Sequence, residues 1–321
     1  MPDSWPLKDK DLKIGILGMT EGNGHPYSWS AIFNGYSKEH MDKSPYPGIA
    51  EYLNKQPSGN FGIKDAHITH ICCDNYDDAL SVAKCSNIKN VVKKPEDMIG
   101  KVDAVICATD IPSEHVTRCR PFIEAGIPVF IDKPLADNEE DLKTFISWKN
   151  SGSHFISSSS MRYKKSLEPY HKNHHELGEL MYICQPMCKK WETYGIHALE
   201  SVYPFLGPGF LTVQNTGTYQ SNMVHITHKS GCDVHIPVKK EMYGAFSVTL
   251  LVGRYGNIAL SDNDHYYSFK KQLEMFVRYL RTGIEPFDFK ETIELTKMVI
   301  AGIQSLKLGG GVIILDDINK R

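Results

Sequence analysis

Residues 102–136, VDAVICATDIPSEHVTRCRPFIEAGIPVFIDKPLA, decide the fold. Val102 to Ala108 is an almost unbroken apolar run of strand length, and such a run suits a strand buried on both faces. HVTRCRPFIEAG follows with helical spacing and stops at Gly126, and Ile127 to Ile131 is a second β-rich run. Strands joined through a helix pair in parallel, since an antiparallel pair needs only a short turn. Thr109, Asp110, Asp132 and Lys133 then lie where the two strands end, on the edge where open parallel sheets bind ligands.

Toward the N-terminus the alternation continues. Lys13 to Leu17 (KIGIL) is a short strand ending at Gly18, followed by the loop MTEGNGHPYS and the apolar helix Trp29 to Tyr36. Glycine lets backbone amides and the positive end of a helix approach a pyrophosphate. Gly15, Gly18, Gly22 and Gly24 do not spell GxGxxG, so a plain tight turn competes with this reading. His67 to Cys73 (HITHICC) is a further strand, ending at Asp74, whose carboxylate could accept both hydroxyls of an adenosine ribose. The alternative is that Asp74 caps the helix beginning in NYDDALSVAKC, and both jobs can coexist. No arginine follows immediately to take a 2′-phosphate, which favours NAD while leaving NADP possible. Residues 37–66, containing SPYPGIAEYLNKQPSGNFG, insert an ordered excursion where a direct connection is usual.

The fold expected is α/β: an N-terminal doubly wound parallel sheet over residues 1–135, and a second α/β domain over 136–321 with a large open, mainly antiparallel sheet. A length of 321 residues suits two domains with full cores. With 36 Lys and Arg against 38 Asp and Glu, a nucleic-acid or polybasic membrane binder is not expected. MPDSWPLKDKDLK lacks the apolar core of a signal peptide and no run reaches membrane-span length, so the expected location is the cytoplasm and no membrane partner is expected. Among eight cysteines, Cys72 and Cys73 are adjacent and Cys107 lies in an apolar run, a poor disulfide framework. Cys184 and Cys188 close no four-ligand set with the histidines, and no metal is expected. His225 and His228, three apart in a strand, point to opposite faces.

The opening stretch closely resembles the segment ending in the Glu-Lys-Pro motif of the glucose-fructose oxidoreductase, inositol dehydrogenase and MocA family. The resemblance continues through SSSSMRY, HELGELMYI, YGIHALESVYPFLG and the closing SFKKQLEMFVRYLRTGIEPFDFKETIELTKMVIAGIQSLKLGGGVIIL. It implies a Rossmann domain holding NAD or NADP and a second domain binding a sugar, cyclitol or similar polyol. EGNGHPYSWSAIFNGY and the SPYPGIAEYL insertion look like a distinct subgroup. On this reading the dinucleotide contacts are Gly18, Thr20, Gly22, Gly24, His25, Asp74, Thr109, Asp110, His115, Asp132 and Lys133.

The family's motif lysine, near the nicotinamide and the reacting hydroxyl, matches Lys133, with Asp132 in place of the glutamate. Removing hydride from a carbinol carbon requires the hydroxyl proton to leave, so a donor–acceptor pair must hold that oxygen. His197 matches the family's general acid/base, a role suited to an imidazole with an unperturbed pKa of about 6.5. Without the resemblance, Lys133 would read as a surface lysine and His197 as a core histidine. Many relatives carry aspartate four residues before this histidine; here Thr193 stands there, so the carboxylate orienting His197 must come from Glu200, one helical turn on, or from Glu192.

Arg162 and Tyr163 are expected near the substrate, Arg162 gripping a carboxylate or ring oxygen, with a plain ion pair as the alternative. HFISSSSMRY is expected as the strand leading into the second domain, and Tyr266 and Tyr267 as core. One face of the second sheet is expected to join a homodimer or homotetramer. The function implied is hydride transfer at a hydroxyl or keto carbon of a sugar-like molecule. Two alternatives stand beside it: a sensor that binds NAD and sugar without chemistry, and an enzyme recycling tightly held NAD with no net redox change.

Overall fold

The computed structural model describes residues 5–315. It divides into two compact units, each treated by itself. The first runs to Asp132 and adds Lys143–Ser157 and Phe269–Pro286; the second comprises Lys133–Leu142, Ser158–Ser268 and the chain from Phe287 onward. The boundary is therefore discontinuous, in place of the single cut at residue 135 expected from the sequence.

In the first unit, strands β1 (Leu12–Leu17), β2 (Ala66–Cys72), β3 (Asn90–Val91), β4 (Ala104–Cys107), β5 (Val129–Ile131) and β6 (Phe155–Ser157) form one sheet in the order β3-β2-β1-β4-β5-β6. Every pairing is parallel. The order reverses beside β1, and that switch point is where a dinucleotide crevice forms in such sheets. Leu17 pairs with Cys72 on one side and Cys107 on the other, which brings Gly18 and the residues that follow β2 and β4 to one edge. All of β4 and β5 is buried, as their apolar runs require. The strand in HFISSSSMRY is β6, the sixth strand of this sheet, and the second unit takes up the chain directly after it at Ser158.

The connecting helices are α1 (His25–Asn34), α2 (Lys38–Met41), α3 (Pro47–Asn54), α4 (Tyr76–Cys85), α5 (His115–Glu124) and α6 (Glu139–Asn150). The insertion thus folds as two short α-helices and a 3₁₀ turn at Ser58–Asn60. It packs on α1, with the Tyr27 and Tyr46 rings 5.4 Å apart and the Ser28 and Tyr52 hydroxyls hydrogen-bonded.

In the second unit the helices are α7 (Glu168–Lys172) and α8 (Ile196–Leu206), with α9 (His265–Thr282) only begun there, and α10 (Phe289–Lys307). The strands are β7 (Leu180–Cys184), β8 (Met187–Cys188), β9 (Phe210–Asn215), β10 (Ser221–His228), β11 (Asp233–Lys239), β12 (Val248–Gly253), β13 (Asn257–Ser261) and β14 (Ile313–Ile314). They form a mixed, mainly antiparallel sheet, β13-β12-β7-β11-β10-β9-β14, with β8 beside β11. Alternation with period two sends Val224, Ile226, Val234 and Ile236 into one core with Leu199 and Val202 of α8 and Leu295 and Val299 of α10. The other face keeps half-exposed residues, including His225 stacked on His235 at 4.5 Å, while His228 turns inward. Among the described residues, no helix is long and apolar enough to cross a membrane and no three His, Cys, Asp or Glu side chains are grouped to hold a metal ion.

Candidate functional site

The Gly-rich loop is laced across the ends of β4 and β5. Gly18 has φ +74°, and a Cβ there would lie 2.3 Å from the Thr109 methyl, so only glycine fits. Gly22, at φ +78°, has nothing within 4 Å of its Cβ position and leaves open space. Thr20 Oγ1 donates to Asp110 Oδ1 at 2.6 Å. Asn23, which the sequence reading missed, is buried and donates from Nδ2 to the Ala108 carbonyl at 3.1 Å and toward Asp132 Oδ2 at 3.4 Å. Its Oδ1 accepts the His25 N–H, and His25 Nδ1 lies 2.6 Å from Asp132 Oδ2.

Three expected dinucleotide contacts take other work. A Cβ on Gly24 would meet Ile49 at 2.4 Å and the Tyr46 ring at 2.9 Å, so this glycine is demanded by the insertion's packing. Thr109 and His115 are fully buried, and His115 Nε2 bonds the Thr109 carbonyl at 2.7 Å; together they brace the turn under Gly18. The first turn of α1 also offers fewer amides to an anion than expected, because the His25 N–H is taken and Pro26 has none.

Past the end of β2, Gly18, Cys73, Asp74, Lys93, Pro95 and Arg118 line a pocket. Asp74 caps nothing: Asn75 accepts the Asp77 N–H at the start of α4. The Asp74 carboxylate receives Arg118 Nη1 at 2.9 Å and Nη2 at 2.6 Å, and these bonds hold its pKa below the usual carboxylate value. Burial pushes the thiols beside it up, Cys72 to about 11 and Cys73 to about 12, away from the thiolate form. A bare glycine, open space and a strand-end carboxylate are the features an adenosine dinucleotide needs here, and these residues fit it.

In the second unit, Lys133 is buried, with Nζ 5.0 Å from the centre of the Tyr194 ring. His197, the second residue of α8, lies edge-on to the same ring at 4.8 Å and to Phe246 at 5.2 Å. Amine and imidazole, remote in sequence, therefore meet on one tyrosine. A π-helical turn, Trp191–Gly195, sets this up, a distortion common at functional sites. It is locked by Trp191, whose indole N–H donates to the Val299 carbonyl at 2.9 Å and whose ring would be 2.4 Å from any Cβ on Gly195. Phe246 is held in turn by Lys164, whose ammonium donates to the Phe246 and Asp262 carbonyls at 2.7 and 3.0 Å; burial lowers its pKa to about 8.

His197 Nδ1 pairs with Ser159 Oγ at 2.6 Å, and that oxygen also accepts the Met161 N–H. Thr193 and Glu192 sit in the π turn, and neither takes this place. Glu200 does not orient the imidazole: its Oε1 accepts the Ser159 N–H at 3.2 Å and its Oε2 is claimed by Arg162 Nε. Burial pushes the Glu200 carboxyl up while the Arg162 charge pulls it back. Arg162 shows the ion-pair alternative: its guanidinium is buried between Glu200 and Glu291 and lies 4.1 Å from the centre of the Phe287 ring. Tyr163 is buried beside it, its pKa raised chiefly by burial. Ser159 and Tyr194 lie in the SSSSMRY and YGIHALES stretches but neither they nor Phe246 could be singled out, being ordinary residues whose role depends on what packs beside them.

Residues 49–152 match the family profile described as "Oxidoreductase family, NAD-binding Rossmann fold". No curated protein sequence matches at a significant level. Among solved structures, myo-inositol 2-dehydrogenase from Lactobacillus plantarum aligns at 13% identity over 95% of this chain and 99% of its own, with a TM-score of 0.73. Scyllo-inositol dehydrogenase from Lactobacillus casei, solved with NAD(H) and scyllo-inositol, aligns at 12% over 94% and 98%, TM-score 0.73. Myo-inositol dehydrogenase from the same organism, solved with NAD(H) and myo-inositol, aligns at 12% over 95% and 97%, TM-score 0.73. Identities this low establish a shared fold.

Proposed function

We propose that this chain, whose residues 49–152 match the profile of the oxidoreductase family with an NAD-binding Rossmann fold, is a dehydrogenase or reductase acting at a hydroxyl or keto carbon of a sugar, cyclitol or related polyol. The observation that carries the reading is the convergence of Lys133 and His197 on Tyr194. Bound nicotinamide supplies the hydride acceptor or donor. Lys133 holds the reacting oxygen by charge-assisted hydrogen bonding, and His197 takes its proton in oxidation or returns it in reduction. Ser159 Oγ can donate to Nδ1 or accept from it, so it serves either imidazole tautomer, but it brings no charge to steady the imidazolium.

The test is Lys133→Met, followed by NADH absorbance with a panel of sugars and cyclitols. Turnover should fall by roughly 10²–10⁴ with dinucleotide affinity little changed; undiminished turnover removes Lys133 from the chemistry. The neutral partner of His197 favours a second reading, a protein that keeps its NAD and performs no net oxidation. Dinucleotide retained through purification, with no label passing from deuterated NADH into product, would support it. Met181, Leu211 and Met223 are exposed on the second sheet and support self-association through it as a homodimer or homotetramer, which light scattering tests. Eight free cysteines fit the reducing cytoplasm.

A further inference from the structure

The absence of an arginine directly after β2 argued for NAD from the sequence, yet the fold delivers one from α5. Arg118 grips both oxygens of Asp74, while its Nε donates to Glu114 Oε2 at 2.8 Å. Its guanidinium also approaches Gly18: Nη1 lies 4.0 Å from where a Cβ would be. Lys93, exposed on the same pocket wall, adds a second cation and is 5.9 Å from the centre of the Tyr76 ring. A lone carboxylate at this strand end selects a ribose 2′-hydroxyl and repels a phosphate, whereas a nearby arginine accommodates one. Here the carboxylate is neutralised by Arg118, which also holds Glu114 outside the lining, and Lys93 adds an exposed cation to the pocket wall. Each Asp74 oxygen keeps a lone pair for a ribose hydroxyl, and Arg118 Nη1 keeps an N–H beyond the one given to Asp74.

We propose that Arg118, with Lys93, lets this pocket admit the 2′-phosphate of NADP(H) as well as the 2′-hydroxyl of NAD(H), so that the chain uses both dinucleotides. The inference rests on the dinucleotide reading above and deepens it. With a phosphorylated ribose, Arg118 and Lys93 share the phosphate oxygens. With a free ribose, Arg118 stays on Asp74 and the hydroxyls donate to the carboxylate.

Calorimetric titration of the whole protein with NAD and with NADP tests this. Wild type should bind the two within about tenfold of each other. Arg118→Met should weaken NADP by roughly 30-fold or more while changing NAD less than about threefold, because one charge-assisted pair to phosphate is lost. Lys93→Ala, at an exposed position with no bearing on folding, should weaken NADP by about three- to tenfold and leave NAD alone. NAD binding with NADP excluded by about 100-fold, or an NAD/NADP ratio unmoved by both variants, overturns the proposal and spares the dinucleotide reading. Binding of neither dinucleotide by a folded wild-type protein overturns both.

Discussion

Glu200 separates two accounts of the second unit. If it orients His197, its loss strikes turnover; if it belongs to Arg162, its loss strikes stability. The Arg162 and Glu200 side chains are only 9% and 3% exposed, and removing one partner of a buried pair costs about 3–5 kcal/mol. Glu200→Gln keeps the volume and an acceptor for the Ser159 N–H, and Glu291 remains 2.8 Å from Arg162 Nη1, so the lower end, about 3 kcal/mol, applies. At about 2–4 °C per kcal/mol, a transition of the second unit should fall by roughly 6–12 °C in a circular-dichroism melt. Replacing a whole buried pair by apolar residues of similar volume is often neutral, so Arg162→Met with Glu200→Leu together should recover part of that loss. A Glu200→Gln protein that melts within about 1 °C of wild type but loses turnover would refute this assignment and restore Glu200 as the partner of His197.

Three further outcomes follow from single contacts. Ser159→Ala leaves His197 Nδ1 without its hydroxyl and should lower kcat by roughly tenfold with KM little changed, shifting the limb of the pH–rate profile that reports the imidazole; an unshifted limb counts against the role. Gly195→Ala would drive a methyl to 2.4 Å from the Trp191 ring and should cost about 1–3 kcal/mol in urea denaturation, whereas Gly48→Ala, with nothing within 4 Å, should cost nothing. Lys164, lowered to about 8 from 10.5, sheds its proton in the folded protein before the unfolded chain does. Its contribution to stability therefore rises with pH through that window, by up to about 1.4 kcal/mol per unit, and the gap between wild type and Lys164→Met should move in wild type's favour between pH 7.5 and 9.5.

The alternation of strand and helix from Lys13 to Ile131 could be read without coordinates, because apolar period and turn residues are local properties that each segment carries whatever surrounds it. For the same reason the strand ends, and with them Gly18, Asp74 and Asp132, could be named in advance, and Lys133 and His197 through the family likeness. Side-chain partnership is not local. Glu200 stands one helical turn from His197, yet its carboxylate goes to Arg162, because a buried guanidinium must be matched by charge wherever the fold brings it. Gly24 reads as a phosphate-loop glycine and serves the insertion, since Tyr46 and Ile49 reach it only once α3 folds back. Asp74 reads as unaccompanied and is held by Arg118 from α5. The sequence by itself determined the elements, their order and the edge where a dinucleotide would bind. Tertiary structure alone decided which charges neutralise one another there, because those energies depend on distances between atoms that only packing sets.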